Sequence, residues 1–340
     1  MRKGKGPTTK EKLSFWAVLS LLSVFFAEVL SGSEPFALVI PWNPLVLMPL
    51  YGIHALLLAR LVFRGKPTFT SLFAAGCIFG LYEAYITKVL FDPHWGASPF
   101  QYLGVDFLWI LILVLWWHVF FAFIIPLLAG EILLTNSDDI QSAMPEKVRE
   151  LLSSRRGFSI LLSIFVIWAA LFMGSNMPGF WVAPVALGVN LIVLSIAVIL
   201  YRKFVGTKYS LKQLLPEGKE FWILFSVLFA MYLLFGIIWN PGRMPGTVGH
   251  LIILALYALF LILLYLNIRT SRREWIGDRT ETRWKIGYVL PLILFMVFAV
   301  ISIIMGITGA GIFFILLSFL LGVLFGLCCL VRTIIHPLKE

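Results

Sequence analysis

Apolar residues gather into ten long runs, near 13–31, 45–63, 68–90, 103–128, 158–175, 180–201, 221–239, 248–266, 286–306 and 311–331, with short polar gaps between them. A hydrocarbon core of about 30 Å takes about 20 helical residues at a rise of about 1.5 Å each. The pattern therefore predicts an all-α fold, a polytopic transmembrane bundle of about ten helices. The longest polar gap, near 130–157, is too short for a folded domain of its own.

Positive charge sorts against these runs. Of the 27 Lys and Arg, 25 fall in alternate gaps, and the two exceptions are Lys88 and Arg243. Lys and Arg flanking membrane helices stay on the cytoplasmic side, so both termini are expected in the cytoplasm of a multi-pass protein of the cell membrane. The formal net charge of +10 is thereby spread over six short cytoplasmic segments. That distribution calls for anionic lipid headgroups as partners and not for nucleic acid. A composition 60% hydrophobic and 13% charged, with mean hydropathy +0.96, excludes a soluble domain. The first run follows a basic tail as a signal peptide would, but it carries Glu28 and ends without a small-x-small cleavage site, so it is read as a retained helix. Cys77, Cys328 and Cys329 are expected to be buried apolar residues and not redox or metal groups.

Three regions follow. Residues 1–130 form a four-helix half that holds the polar site, with an irregular Pro-rich outer segment at 32–49. Pro35, Pro41, Pro44 and Pro49 in that segment forbid a regular helix throughout. Asn43 is expected to cap the second helix, with Pro44 in its first turn and Trp42 at the outer interface, while the segment either roofs a cavity or rests on the headgroups. Residues 131–157 form a cytoplasmic loop in which Asp138 and Asp139 precede a mixed-charge stretch suited to a short surface helix. Residues 158–340 form a six-helix part built of three hairpins with outer turns GSNMPG (174–179), NPGRMPG (240–246) and GITGAG (306–311), whose spacing suggests a repeated unit.

Five acids stand in or near the outer face, all in the first third: Glu28, Glu34, Glu83, Asp92 and Asp106. Glu83 is the strongest candidate, because it lies about 10 Å inside its helix at about 1.5 Å per residue. A charge at mid-membrane costs about 2.5–3.5 kcal/mol and so faces other helices or a cavity. Gly76, Gly80, Glu83 and Thr87 share one helical face, and the glycines let another helix approach closely. Glu83 is therefore expected to point into the bundle with Tyr82, Tyr85 and Lys88 on adjoining faces, and to form an acidic pocket with Glu28 and Asp106. The bland reading makes it a structural acid neutralised by Lys88. Glu34 and Asp92 are read as solvated loop acids.

His54 lies mid-helix, suited equally to packing or to a polar pocket, whereas His118 beside Trp116 and Trp117 is read as a hydrogen-bonded packing residue. None of His54, His94, His118 and His250 has a second ligand at i+3 or i+4, the spacing typical of helical metal sites. No metal, cofactor or catalytic residue is assigned. No nucleotide-binding glycine loop or Ser-His-Asp arrangement stands out.

The stretch GLYEAYITK (80–88) resembles the first motif of the CAAX-type intramembrane proteases, a glutamate pair followed by an arginine. Glu83 matches the first glutamate, while Ala84 replaces the second and Lys88 the arginine, and the family's histidine motifs have no counterpart around His54, His118 or His250. The longer stretch from Glu28 through YGIHALLLAR (51–60) to GLYEA (80–84) resembles a group of uncharacterised prokaryotic multi-pass membrane proteins, which implies no activity.

Three function classes fit. The first is a small transporter or permease with an acidic pocket near the outer face. The second is a membrane enzyme acting on a lipid or lipid-linked substrate at the outer leaflet, with Glu83, Asp106 and a histidine as acid-base or metal groups. The third is an assembly partner of another membrane protein, or a homo-oligomer, docked through an open small-residue face such as Gly322-xxx-Gly326.

Overall fold

The computed structural model describes residues 6–270, 289–309 and 311–338. Arg2, Lys3 and Lys5, the bases between Arg272 and Lys285, Ala310 of the third turn and Lys339 lie outside the described residues. Ten helices carry the apolar runs. They are α1 (Thr9–Val29), α2 (Leu47–Val62), α3 (Phe69–Gly80), α4 (Phe107–Leu134), α5 (Arg155–Asn176), α6 (Val182–Phe204), α7 (Lys219–Ile238), α8 (Thr247–Thr270), α9 (Leu290–Thr308) and α10 (Gly311–Leu338). Among the described residues eight are long and apolar enough to cross a membrane, and α2 and α3 are the shorter two.

Both short helices depart from expectation for local reasons. Helix α2 starts at Leu47 and not at Asn43, whose buried carboxamide turns back to donate to the Ala37 carbonyl at 2.9 Å. The run at 68–90 is not one helix. Thr68 and Ser71 form a capping box at the start of α3, the helix ends at Gly80, one further turn covers Tyr82–Tyr85, and Lys88 then adopts a left-handed φ of 63°.

Three long helices carry wider turns with i to i+5 hydrogen bonding: α1 at Phe25–Val29, α4 at Ile110–Ile124 and α7 at Tyr232–Ile238. Such turns in other proteins often mark functional sites. Helix α4 is the central member. A Cβ on Gly76 would lie 2.9 Å from the Val119 Cα, and one on Gly80 2.8 Å from the Val114 Cα, so the two glycines set how closely α3 meets α4.

The six C-terminal helices pack both among themselves and on the first four. Helix α8 packs on α3, α7 on α2, α6 on α1, and α10 on α4, while α5 packs chiefly on α9. The three sequence hairpins are connections more than packing units, and α7 and α8 scarcely touch along their length. The Gly322 and Gly326 face is likewise closed, filled by the Trp116 ring and the Leu115 backbone of α4, and is not an open docking face.

The two ends of the bundle differ in what ties them. At the N-terminal end, ion pairs link Lys12 to Glu220 (2.8 Å), Arg60 to Glu217 (2.7 Å) and Lys208 to Glu11 (2.8 Å). There the loop after α4 folds into two short helices, Asp139–Ala143 and Glu146–Ser153. Asp138 makes no side-chain cap. The carboxylate of Glu131 takes that place, accepting from Ile140 N–H at 3.0 Å and Gln141 N–H at 2.9 Å. At the opposite end, Asn190 of α6 pins the Pro-rich segment, accepting from Leu38 N–H (3.0 Å) and donating to the Pro35 carbonyl (2.8 Å). Trp42, Trp95, Phe100, Tyr102 and Trp181 stand exposed here, as an aromatic belt does at a membrane surface.

Candidate functional site

The interruptions of α1, α3 and α4 fall at one depth, toward the end away from the N-terminus, and together bring five polar side chains into one cluster. Glu28 sits in the widened turn of α1, Glu83 in the turn beyond α3 and His118 in the widened stretch of α4, with Tyr51 of α2 and Tyr82 between them. Glu83 is 6% exposed and His118 3%. The Glu83 Oε1 lies 3.1 Å from His118 Nε2. Thr87 donates to the other carboxylate oxygen of Glu83, and Ser33 and Tyr51 donate to Glu28.

The order of protons in the cluster follows from its acceptors. His118 Nδ1 lies 3.2 Å from the Leu113 carbonyl, which can only accept, so Nδ1 carries a hydrogen. Nε2 then faces Glu83 with a single proton between them, because two lone pairs cannot bond. Tyr51 donates to Glu28 and accepts from Tyr82 at 2.5 Å, while the Tyr82 oxygen lies 3.2 Å from His118 Nε2. A continuous run of hydrogen bonds thus connects Glu28 to Glu83 through two phenols and one imidazole. Such a run fixes the two phenols and the imidazole in place between the carboxylates.

Four of the five, Glu28, Tyr82, Glu83 and His118, line a cavity of about 990 Å³ and form its base, with Tyr51 behind them. Its walls are largely apolar, with Trp109, Ile112 and Trp117 of α4, Phe172 of α5, and Ile315 and Phe319 of α10. Its mouth carries Lys88, the exposed His94 and Arg243. Chambers of this size with few convergent polar groups are the usual form of a small-molecule site.

The other candidates part company with this site. Asp106 is fully buried but binds Ser98, accepting from its N–H at 2.8 Å and its hydroxyl at 2.6 Å, and so orders the loop ahead of α4; it does not join Glu83 and Glu28. A carboxylate saturated by loop donors at the start of a helix is a cap. His54 does not line the cavity. Its Nδ1 donates to the Leu50 carbonyl at 2.7 Å, its Nε2 accepts from Tyr232 at 3.0 Å, and its ring stacks on Phe79, which makes it a satisfied core histidine. Lys88 does not neutralise Glu83. Its ammonium donates to the carbonyls of Phe235, at 2.8 Å, and Trp239. The Pro-rich segment is not a roof either, since only residues at its two ends, Ser31–Ser33 and Leu47, reach the cavity. Among the described residues no group of three or more His, Cys, Asp or Glu is placed to hold a metal ion.

His118 and Tyr51 are the members that sequence reasoning passed over. His118 carries a signal in hindsight, a histidine deep in an apolar run, but Tyr51 offers none beyond its neighbourhood to His54.

Helices of this length and hydropathy, interrupted around a buried polar cluster, define a polytopic helical membrane protein. Residues 17–338 match the family model described as "Uncharacterized membrane protein family", and the chain belongs to that family. It is also 35% identical over 265 residues to an "Uncharacterized protein" of Archaeoglobus fulgidus, an alignment covering 77% of this chain and 80% of that one. No solved structure matches.

Proposed function

We propose that the protein is a membrane enzyme that holds an amphipathic substrate in the cavity and moves a proton at its base through the Glu83–His118 pair. The observation that carries this reading is the linked set Glu28, Tyr82, His118 and Glu83 on the floor of an apolar chamber, joined from behind by Tyr51. A carboxylate and an imidazole sharing one proton can take a proton from water or substrate and return it to a leaving group. The Tyr82 phenol, which lines the cavity beside them, supplies a polar contact for a developing charge. Walls of Trp, Phe and Ile suit a lipid chain. The basic gaps cluster at the opposite end, so the positive-inside rule supports a cavity opening at the outer leaflet with the termini in the cytoplasm.

Transport is the second reading, favoured by one feature: α7, in the other half of the chain, is also widened at Tyr232–Ile238 and also borders the cavity. Reconstitution separates the two. Wild type, Glu83→Gln and His118→Gln are placed in liposomes of the host's own lipids, in water enriched in heavy oxygen, and products are followed by mass spectrometry. The enzyme reading expects products from wild type that form at least about 100-fold more slowly with Glu83→Gln. Identical product profiles from all three, with solute counterflow that only wild type supports, would overturn it in favour of transport.

A further inference from the structure

Lys88 and Arg243, the two bases outside the alternation that sorts the other 25, meet at the mouth of the same cavity. They are 155 residues apart in sequence and come from different halves of the chain. Lys88 is 1% exposed and held in a left-handed backbone conformation, which a lysine adopts only where its surroundings impose it. The carbonyls of Phe235 and Trp239, at the end of α7, anchor its ammonium as helix C-termini commonly anchor cations. That anchoring explains where the lysine stays, but neutral carbonyls do not cancel its charge. No carboxylate makes an ion pair with Lys88 among the described residues. The positive charge of Arg243 acts on it as a repulsion. Arg243 in turn shares its guanidinium among the Asp92 carboxylate (3.1 Å), the Asp92 carbonyl and His94 Nε2 (3.1 Å). His94 accepts in that bond and is therefore neutral. The mouth thus holds two cations and one carboxylate, a surplus of one positive charge, and the ammonium keeps a third proton after serving two carbonyls. A buried cation without an anion is costly.

We infer that Lys88 and Arg243 recognise the phosphate of an anionic amphiphile whose apolar chain lies along the cavity walls. This rests on the reading that the cavity is the substrate's chamber, and it adds the substrate's charge class and its direction of entry. Guanidinium and ammonium groups are the residues that suit phosphate. The carboxylates at the base repel the same group, so the headgroup stays at the mouth and the uncharged part reaches Glu83 and His118.

The test is binding of a short-chain phosphatidate to the full-length protein in a non-ionic detergent, beside the uncharged diacylglycerol of the same chains and inorganic phosphate. Wild type is expected to bind phosphatidate more tightly than either the diacylglycerol or inorganic phosphate. Lys88→Gln and Arg243→Gln are each expected to weaken it about tenfold or more, as loss of a charge-assisted hydrogen bond does, with Lys88→Arg restoring part of the loss. Asp92→Asn, at an exposed position, is expected to tighten binding several-fold, a gain that no folding defect produces. Unchanged affinity in both base variants together with no gain in Asp92→Asn would overturn the anion site while leaving the chamber reading intact. Wild type binding neither lipid would remove both. Inorganic phosphate bound as tightly as phosphatidate would assign the site to free phosphate and overturn the lipid assignment.

Discussion

Two buried acids, Glu83 packed against α4 and Glu131 in the last turn of α4 itself, lie toward opposite ends of the bundle, and they are used in opposite ways. Glu131 is 1% exposed, and backbone N–H groups of Ile140 and Gln141 hold its carboxylate, with the Ser137 hydroxyl at 3.3 Å. Backbone donors cannot give up a proton, and Glu131 does not line the cavity on which Glu83 opens. Glu83 is nearly as buried, but its partners are an imidazole and a threonine hydroxyl, and it opens on a cavity of about 990 Å³. Burial alone therefore does not mark a working acid. What separates the two is whether the partner can exchange a proton and whether a ligand can reach the pair.

The widest separation is expected between Glu83→Gln and Glu131→Ala. Glu83→Gln keeps the shape and removes the proton exchange, so turnover in proteoliposomes should fall about 10²–10⁴-fold with little change in melting temperature. Glu131→Ala orphans buried N–H groups, and the loop beyond α4 should lose about 2–4 kcal/mol, read as a lower melting temperature and faster proteolysis between 135 and 154. Turnover per folded molecule should stay near wild type. A Glu131→Ala protein that is stable but inactive would break the comparison.

How much of this could be read from the chain alone depends on the range of the physics involved. Ten apolar runs are legible because bilayer thickness acts on local composition, and Glu83 is legible because a charge inside such a run is costly wherever it points. Its face with Gly76 and Gly80 is legible too, since α3 keeps a regular turn up to Gly80. His118 is not, because Ile110–Ile124 does not follow the 3.6-residue period from which faces are read. The role of Asn190 in pinning Leu38 and that of Glu131 in capping the loop after α4 are long-range or cross-loop contacts with no local signature. The break at Leu81 is hidden as well, since nothing in the apolar run there demands that a helix stop.

Glycine substitutions sharpen the same contrast at the next level. A Cβ on Gly80 meets the Val114 Cα at 2.8 Å and the Leu113 carbonyl at 3.2 Å, both backbone atoms that give way poorly. Gly80→Ala should cost about 1–3 kcal/mol and also disturb turnover, because that same Leu113 carbonyl fixes the hydrogen on His118 Nδ1. Gly246→Ala has no neighbour within 4 Å and should change neither melting temperature nor turnover. Smaller again is Asp106→Ala, which removes the two Ser98 bonds and should loosen the loop at 92–106 by about 1 kcal/mol, detectable as faster proteolysis there. Turnover should be unaffected if Asp106 stands outside the site, and a loss comparable with that of Glu83→Gln would bring it back in.

The finest distinction concerns Asp139, an acid with a shifted pKa that stands apart from the Glu83 cavity. Burial, reinforced by the neighbouring Asp138 carboxylate, raises its pKa from the ordinary 3.8 to about 6. The folded loop therefore binds this proton more tightly than the unfolded chain does. The stability that the proton confers is fully present below about pH 3.8 and is lost as pH rises through about 6. Asp139→Asn removes the charge that must otherwise form in a half-buried place. Above pH 7 it should stabilise the loop by about 1 kcal/mol once solvent screening is allowed for, and the difference from wild type should shrink toward pH 5 in melting curves taken across that range. Turnover should not follow the same curve. If it did, proton exchange at the loop end would be coupled to the site, and the division between an acid that holds structure and one that performs chemistry would not hold for this protein.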